Sequence, residues 1–313
     1  MKTAVIFGSE GQDGRIAFDA LLQKNYRLAG VGRNSVRSEG IDWNDPVDVT
    51  SQADVTGMIK SLKPDEIYYL AACHHSSQDQ AQDDAALFQE SHRVNVLGLL
   101  FCLEAMKDYS RATRLFYAGS SLLFENTETE IQDERTPFCP GSVYGITKLQ
   151  ALLSARYYRE AHGLFASTGI LYNHESPYRK ENFISKKIIR AALNIKQGKQ
   201  DALVLGDLSS AIDWGYAPDY VEAMRGILNA DRPDEFIIAA GVKHTVRDFV
   251  TIAFDHLGLD WKKYVKEDPN IMTRKRRTLV GNPEKLMNIT GWRPSVDFKG
   301  MIELLLQAEG ACV

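Results

Sequence analysis

Long apolar runs are missing from this 313-residue sequence. No stretch approaches the roughly 20 consecutive apolar residues that a membrane-spanning helix needs, so we expect no membrane association. The N-terminus has one basic residue followed by a glycine-rich turn, without the apolar segment and small-residue cleavage site of a signal peptide. We therefore expect a cytoplasmic protein.

Cysteine is also scarce. The four cysteines form no CxxC pair, and no histidine lies near them at metal-ligand spacing, so the sequence predicts no zinc site. Buried or incidental thiols in a reducing compartment are the expected interpretation. The cysteines are Cys73, Cys102, Cys139 and Cys312.

An excess of positive charge is absent as well. The formal net charge is −4, so no global basic field attracts nucleic acid, although Arg274–Arg277 form a local basic run. Hydrophobic residues make up 44% and charged residues 25% of the chain, which is ordinary for a globular protein. The length fits a large α/β domain with a smaller one appended.

Short apolar segments alternate with amphipathic ones over the first 170 residues or so. This strand–helix alternation predicts a parallel, doubly wound sheet. After Tyr172 the pattern loosens, and Asn173–Asn182 is polar and contains Pro177, which predicts a loop. We predict a dinucleotide-binding domain over residues 1–172 and a mainly substrate-binding α/β domain over 173–313. Chain crossings between the two domains stay open.

A glycine trio follows the first predicted strand and opens a helix. Gly8 allows a tight turn, Gly11 lets the backbone approach a pyrophosphate, and Gly14 allows close packing of helix and strand. The helix N-terminus offers free N–H groups to the anion. The pattern predicts a Rossmann-like dinucleotide site. Its GxxGxxG spacing is the form found in short-chain dehydrogenase/reductases.

The second predicted strand ends without an acid for the ribose 2′-hydroxyl of NAD. Arg33, just beyond that strand, favours the 2′-phosphate of NADP, with NAD as the alternative. Asp48 and Val49 lie where folds of this kind contact adenine.

Tyr144 and Lys148 are spaced to share one helical face. A free tyrosine has a pKa of about 10, and a nearby ammonium stabilises the phenolate and lowers that pKa. A serine hydroxyl beside the substrate oxygen completes such a set, and Ser120 or Ser121 ends the preceding strand. The pattern predicts a proton-handling pair in an oxidoreductase.

Several longer motifs resemble the extended short-chain dehydrogenase/reductases, and within that group the GDP-mannose 4,6-dehydratase family. The resemblance runs over nearly the whole chain. The motifs are Gly11-Gln-Asp-Gly14, Pro64-Asp-Glu-Ile-Tyr-Tyr-Leu-Ala-Ala72, Glu134-Arg-Thr-Pro-Phe138, Tyr157-Tyr-Arg-Glu-Ala161, Gly169-Ile-Leu-Tyr-Asn-His-Glu-Ser-Pro177, Asp213-Trp-Gly-Tyr-Ala-Pro-Asp-Tyr-Val-Glu-Ala-Met224 and Gly291-Trp-Arg-Pro294.

The resemblance implies oxidation of a sugar nucleotide at C4 with hydride passing to NADP, removal of the C5 proton by a glutamate, and loss of water from C6. It implies that Ser120 takes the place of the family's active-site threonine, beside Tyr144 and Lys148. It implies a dimer or tetramer formed through the helices around Val94–Ala105 and Tyr144–Tyr158. The implied cofactor contacts include Gly8, Gly11, Gln12, Asp13, Gly14, Leu70, Ala71, Ala72, Tyr144, Lys148, His174 and Arg179, and the implied substrate contacts are Ser121, Asn173, Lys187 and Arg276.

Three positions depart from the family pattern. Leu122 stands where the family has its elimination glutamate, and leucine cannot accept a proton. Ile212 replaces an arginine that contacts the nucleotide in the family. The basic run Arg274–Arg277 replaces an acidic segment, and it is either a contact for the diphosphate or a solvated turn.

Three functions follow. The first is C4 redox chemistry on a nucleotide-diphosphate sugar, as a 4-epimerase, 4-dehydrogenase or 4-keto reductase. The second is a dehydratase that recruits another base, such as Glu125. The third is a cofactor-binding regulator without catalysis.

Overall fold

The computed structural model describes residues 1–33, 35–73, 83–268, 271 and 277–310. Within these residues, seven strands form a central sheet in the order β11-β7-β5-β4-β1-β2-β3. All neighbouring pairs are parallel except β2 and β3. The strands are β1 (Thr3–Phe7), β2 (Arg27–Val31), β3 (Val36–Glu39), β4 (Glu66–Tyr69), β5 (Arg114–Ala118), β7 (Phe165–Leu171) and β11 (Glu235–Ile238). The predicted Rossmann-like doubly wound sheet is confirmed.

Helices cover both faces of this sheet, as its apolar strands require. On one face lie α2 (Gln52–Leu62), α4 (Gly98–Tyr109) and α5 (Val143–His162), which pack into one apolar cluster with the sheet. On the other face α1 (Gln12–Gln23) and α7 (Ala217–Leu228) pack into a second cluster with α9 (Glu284–Thr290). Helix α3 (Asp84–His92) runs into α4 through a π-helical segment, Arg93–Leu97.

A third apolar cluster lies away from the large sheet. It joins α6 (Ile184–Lys196), α8 (Val246–His256) and α10 (Phe298–Ala308) to short strands. The strands of this part are β8 (Asn173–Glu175), β9 (Leu203–Leu205), β10 (Ala211–Tyr216), β12 (Lys243–Thr245) and β13 (Val265–Glu267). A further pair links β6 (Ile131–Gln132) to β14 (Val280–Gly281), and 3₁₀ turns cover Ser121–Phe124 and Trp261–Lys263. The expected smaller α/β part is therefore present.

The chain returns to the large sheet after residue 173. Strand β11 pairs with β7 at the sheet edge, and α7 packs against α1. These are crossings that the sequence left open, and the functional division at residue 172 stays a prediction.

The loop predicted for Asn173–Asn182 is wrong at its start, because β8 pairs in parallel with β10. His174 and Glu175 are buried there despite their polarity. Glu175 accepts a hydrogen bond from Ser185 Oγ at 2.6 Å, and His174 pairs with Asp13. Partners distant in sequence thus satisfy polar groups that resemble a loop when read alone.

No helix in the described part of the chain is both long and apolar enough to span a bilayer. Cys73 and Cys102 are buried and Cys139 is exposed, while Cys312 lies outside the described residues.

Candidate active site

The glycine loop lies between the end of β1 and the start of α1. Gly8 has a φ of +89°, and a Cβ there would lie 2.6 Å from the main-chain nitrogen of Ala71. A Cβ at Gly14 would collide with the main-chain oxygen of Gly8 and lie 2.6 Å from Cα of Ser9. Both positions therefore require glycine. The main chain of Leu70 and Ala71, two of the implied cofactor contacts, lies against this turn. Gly11 is the N-cap residue of α1, and the N–H groups in the first turn of a helix favour an anion.

Gln12 and Asp13 connect this loop to β8. Gln12 Nε2 donates to the main-chain oxygen of His174 at 3.1 Å, and Ser176 Oγ donates to Gln12 Oε1 at 2.9 Å. His174 Nε2 lies 3.0 Å from both carboxylate oxygens of Asp13. Burial opposes charge on both groups, but their mutual attraction lowers the pKa of Asp13 and raises the pKa of His174. These side chains thus hold the loop to the second half of the chain, and their contact with a cofactor stays a prediction.

The catalytic candidates lie where β5 ends and α5 begins. Lys148 is buried and donates from Nζ to the main-chain oxygen of Ala118 at 2.8 Å. Ser120 Oγ accepts a hydrogen bond from the main-chain nitrogen of Leu122 at 3.2 Å. A Cβ at Gly145 would lie 2.7 Å from the main-chain oxygen of Leu122, so the first turn of α5 packs closely on the Ser121–Phe124 turn. The structure therefore brings the segments of Ser120, Tyr144 and Lys148 together.

The electrostatics of the pair differ from the sequence expectation. Burial lowers the pKa of Lys148 to about 7, against the opposing pull of the Asp13 carboxylate. Desolvation raises the pKa of Tyr144, the Asp13 charge adds to the rise and Arg179 opposes it. The pKa of Tyr144 is thus raised rather than lowered, with desolvation as the main cause, although Lys148 Nζ lies 5.5 Å from the centroid of the Tyr144 ring.

Asn95 is a site residue that the sequence did not reveal. It is fully buried in the π-helical segment, a kind of bulge common at functional sites. Its Oδ1 accepts from the main-chain nitrogen of Cys73 at 2.9 Å, and its Nδ2 donates to Thr147 Oγ1 at 3.0 Å. Thr147 precedes Lys148, so Asn95 ties the end of β4 to the catalytic helix. An asparagine between two valines was the available signal.

The end of β2 carries an acid that comes from elsewhere in the chain. Glu10 accepts from the main-chain nitrogen of Arg33 at 3.1 Å and from Ser35 Oγ at 2.7 Å. These two hydrogen bonds lower the pKa of the Glu10 carboxyl. The side chain of Arg33 is exposed. No acid follows β2 in the sequence, as expected. The folded chain nevertheless places the carboxylate of Glu10 at the end of that strand.

The candidate adenine and substrate contacts are distributed around this centre. Asp48 Oδ1 accepts from the main-chain nitrogen and hydroxyl of Thr50 at 2.8 and 2.9 Å, and the half-buried Val49 follows it. Arg179 lies 3.2 Å from Glu175 and its guanidinium covers the Phe183 ring at 3.7 Å. The remaining candidates are Ala72, exposed after β4, Ser121, buried in the 3₁₀ turn, Asn173, exposed on β8, and Lys187, half-buried on α6.

The departures from the family pattern are partly visible. Ile212 is paired with His244 across β10 and β12 and packs on the third apolar cluster, so it offers no polar contact. Arg276 lies outside the described residues. Its neighbour Arg277 donates from Nη1 to the main-chain oxygen of Thr127 at 2.7 Å, which places the end of the basic run beside the loop after the 3₁₀ turn.

Comparison with known proteins decides the family. The sequence model described as GDP-mannose 4,6 dehydratase matches residues 5–305. The chain belongs to the GDP-mannose 4,6-dehydratase family. The predicted membership of the extended short-chain dehydrogenase/reductase enzymes that act on nucleotide sugars is thereby confirmed.

Individual relatives agree with this membership. GDP-mannose 4,6 dehydratase 2 of Arabidopsis thaliana is 37% identical over 329 aligned residues, which cover 98% of this chain and 87% of the relative. The GDP-mannose 4,6-dehydratase of Vibrio cholerae is 32% identical, with 96% and 91% covered.

Solved structures agree in fold. RMD from Pseudomonas aeruginosa, complexed with NADPH, superposes with a TM-score of 0.81 at 19% identity and 98% coverage of both chains. The UDP-glucose 4-epimerase of Thermus thermophilus, complexed with NAD, gives 0.78 at 22% identity and 99% coverage of both.

The turn after Ser120 contains Leu122, the residue that departs from the family pattern. Leu122 is half-buried in the turn, and Glu125 follows it with a main-chain hydrogen bond back to the Leu122 oxygen at 3.4 Å. Side chains three residues apart eclipse in 3₁₀ geometry, so Glu125 lies on the same side as Leu122, one turn further on. Glu125 Oε2 is buried without a hydrogen-bond partner among the described residues.

Proposed function

We propose that this enzyme performs NAD(P)-dependent redox chemistry at C4 of a GDP-sugar without completing 4,6-dehydration. It would then act as a 4-epimerase, a 4-dehydrogenase or a 4-keto reductase. The observation that carries the proposal is a complete Ser120, Tyr144 and Lys148 set beside Leu122, an aliphatic side chain where elimination needs a base.

The glycine loop supports the proposal of a nicotinamide cofactor. A Cβ at Gly8 would collide with the main chain of Ala71, and one at Gly14 with the main chain of Gly8, so these glycines permit the tight strand-to-helix turn that pyrophosphate-binding loops need. Relatives in fold were solved with NADPH and with NAD. The cofactor supplies the hydride acceptor or donor, and the Gly8, Gly11 and Gly14 backbone would hold its phosphates.

The chain's own residues handle the proton at the sugar C4 oxygen. The Ser120 oxygen already accepts from the Leu122 nitrogen, so its hydroxyl hydrogen is available to orient the substrate oxygen. Tyr144 takes the proton from that oxygen in oxidation or returns it in reduction. Because the pKa of Lys148 is about 7, a small gain in local negative charge is enough to protonate it, and its ammonium then stabilises the tyrosinate.

The sugar nucleotide is supported by the family and by the position of polar side chains. The curated relatives are named for GDP-mannose. Asn173 on β8 and Lys187 on α6 flank the segment that joins the two parts of the chain, where we place the nucleotide. The basic run that ends at Arg277 is our candidate for the diphosphate.

A dehydratase that uses Glu125 as its base is the second candidate. Two observations support it. Glu125 follows Leu122 by one 3₁₀ turn and lies on the same side of the chain. Its buried Oε2 atom has no hydrogen-bond partner among the described residues. Under this function Glu125→Gln abolishes water loss and leaves C4 oxidation intact. Unchanged water loss in that variant would reject Glu125 as the base.

We also propose that the protein assembles as a homodimer or homotetramer through α5 and its neighbours. Ile146, Leu153 and Tyr157 are 42%, 44% and 59% exposed along one face of α5, and contiguous exposed apolar side chains mark interaction surfaces. A solution mass of a single chain would contradict this assembly.

Incubation with GDP-mannose and either nicotinamide dinucleotide tests the main proposal. Chromatographic separation followed by mass spectrometry should detect a 4-keto or 4-epimeric GDP-sugar that retains its oxygen at C6. A 4-keto-6-deoxy product as the main species would overturn it.

A further inference from the structure

Glu10 occupies the end of β2 although it belongs to the glycine loop. Its two carboxylate oxygens accept from the Ser35 hydroxyl at 2.7 Å and from the Arg33 main-chain nitrogen at 3.1 Å. Each carboxylate oxygen has a second lone pair, so the group can accept further hydrogen bonds. It is exposed and therefore accessible to a ligand.

The backbone around Glu10 leaves room for this placement. A Cβ at Gly32 would lie 2.5 Å from Glu10 Oε1. The absence of a side chain at Gly32 therefore leaves room for the Glu10 carboxylate at the end of β2. The Ser35 and Arg33 donors keep Glu10 ionised by lowering its pKa. Two cations lie near it. Arg15 donates from Nε to the Glu10 main-chain oxygen at 2.9 Å and turns its guanidinium to the Tyr178 ring, and Arg33 extends into solvent.

In dinucleotide-binding folds the end of the second strand meets the adenosine ribose. An acid there accepts from the ribose 2′-hydroxyl of NAD, whereas a cation accommodates the 2′-phosphate of NADP. Here the two donors that could cradle a phosphate, the Ser35 hydroxyl and the Arg33 N–H, are both bound to Glu10. A phosphate at this position would also face a like charge, which is unfavourable at short range.

We propose that Glu10 makes this enzyme select NAD(H) over NADP(H), by accepting a hydrogen bond from the ribose 2′-hydroxyl and repelling a 2′-phosphate. This inference rests on the proposed nicotinamide-dependent function. Glu10 in the glycine loop is then the residue that selects the cofactor, and it outweighs the preference for NADP that Arg33 alone indicates.

Binding of each dinucleotide to the purified full-length chain tests the proposal without any turnover. Isothermal titration with NADH and with NADPH should give a Kd for NADH lower by about tenfold or more, in line with a hydrogen bond to an ionised group. Glu10→Gln keeps the shape of the side chain and should reduce that ratio by about tenfold, mainly through tighter NADPH binding. The matched control Glu39→Gln removes the same charge on β3, opposite Leu28 at the other end of β2, and should leave the ratio unchanged.

The outcomes separate the two proposals. Equal or tighter binding of NADPH by the unaltered protein, or an unchanged ratio in Glu10→Gln, overturns the role of Glu10 alone. Failure of both dinucleotides to bind overturns the proposed function together with it. The measurement on the unaltered protein stands even where a variant fails to fold.

Discussion

Lys148 Nζ donates to the main-chain oxygen of Ala118 at 2.8 Å, and this contact fixes α5 to the end of strand β5. The lysine is 1% exposed. A single hydrogen bond to a neutral oxygen does not offset the burial of an ammonium, so the side chain is held close to the point of losing its proton. Its charge state is therefore sensitive to whatever charge develops beside it.

Replacing Lys148 by Met should change the pH dependence of stability. Burial lowers the pKa of Lys148 from 10.5 to about 7. Between these values the unfolded chain binds a proton that the folded protein has released, so the free energy of unfolding contributed by this group rises with pH. Below about pH 7 the penalty for burying the charge is fully present.

Urea denaturation at several pH values checks this. From about pH 7.5 to about pH 9.5 the unaltered protein should gain stability relative to Lys148→Met, by up to about 1.4 kcal/mol per pH unit. A difference between the two proteins that is constant over this range would show that Lys148 keeps its ordinary proton affinity.

Tyr144→Phe should slow hydride transfer far more than it weakens dinucleotide binding. The change removes the proton acceptor only, and loss of a general acid–base group typically costs about 10² to 10⁴ in rate. Formation of reduced cofactor in the presence of a GDP-sugar measures it. Tyr109→Phe at the end of α4 is the matched control, because Tyr109 is 40% exposed. If the assayed rate does not fall in Tyr144→Phe, the regulator without catalysis becomes the better account.

Two glycine-to-alanine changes inside helices should have opposite signs. Gly14→Ala in α1 would drive a Cβ into the main-chain atoms of Gly8 and Ser9, and we expect destabilisation by about 1–3 kcal/mol with weakened dinucleotide binding. Gly57→Ala in α2 meets nothing within 4 Å, and alanine should stabilise that helix by about 0.5–1 kcal/mol. Calorimetric melting of both variants compares them. Equal changes in melting temperature would mean that glycine at position 14 is not required for the close approach of α1 to the main chain of Gly8 and Ser9.

The sheet strands and the shared helix of Tyr144 and Lys148 could be predicted because their signals are local. Apolar runs such as Thr3–Phe7 become buried parallel strands, and the spacing of Tyr144 and Lys148 defines one helical face. Glu10 and Asn95 escaped prediction because their positions depend on where separate segments meet. The short strand β8 escaped because its polar residues are satisfied by partners far away in the chain, among them Asp13.

Leu122→Glu should restore water loss. The change places a carboxylate in the half-buried turn that follows Ser120, at the position where the family's base is expected. A correctly placed general base contributes about 10² to 10⁴ in rate. The appearance of a 4-keto-6-deoxy GDP-sugar in this variant, and its absence in Leu122→Gln, would be measured by mass spectrometry. No gain of water loss would indicate that more than this side chain prevents dehydration.

The mass of the product formed from GDP-mannose by the unaltered enzyme tests the central claim most directly. The proposed C4 chemistry predicts either the loss of two hydrogens, for a 4-ketone, or a species of unchanged mass that chromatography separates from GDP-mannose, for a 4-epimer. Loss of one water from the sugar as the main outcome would contradict the claim and would direct attention to Glu125 as the base.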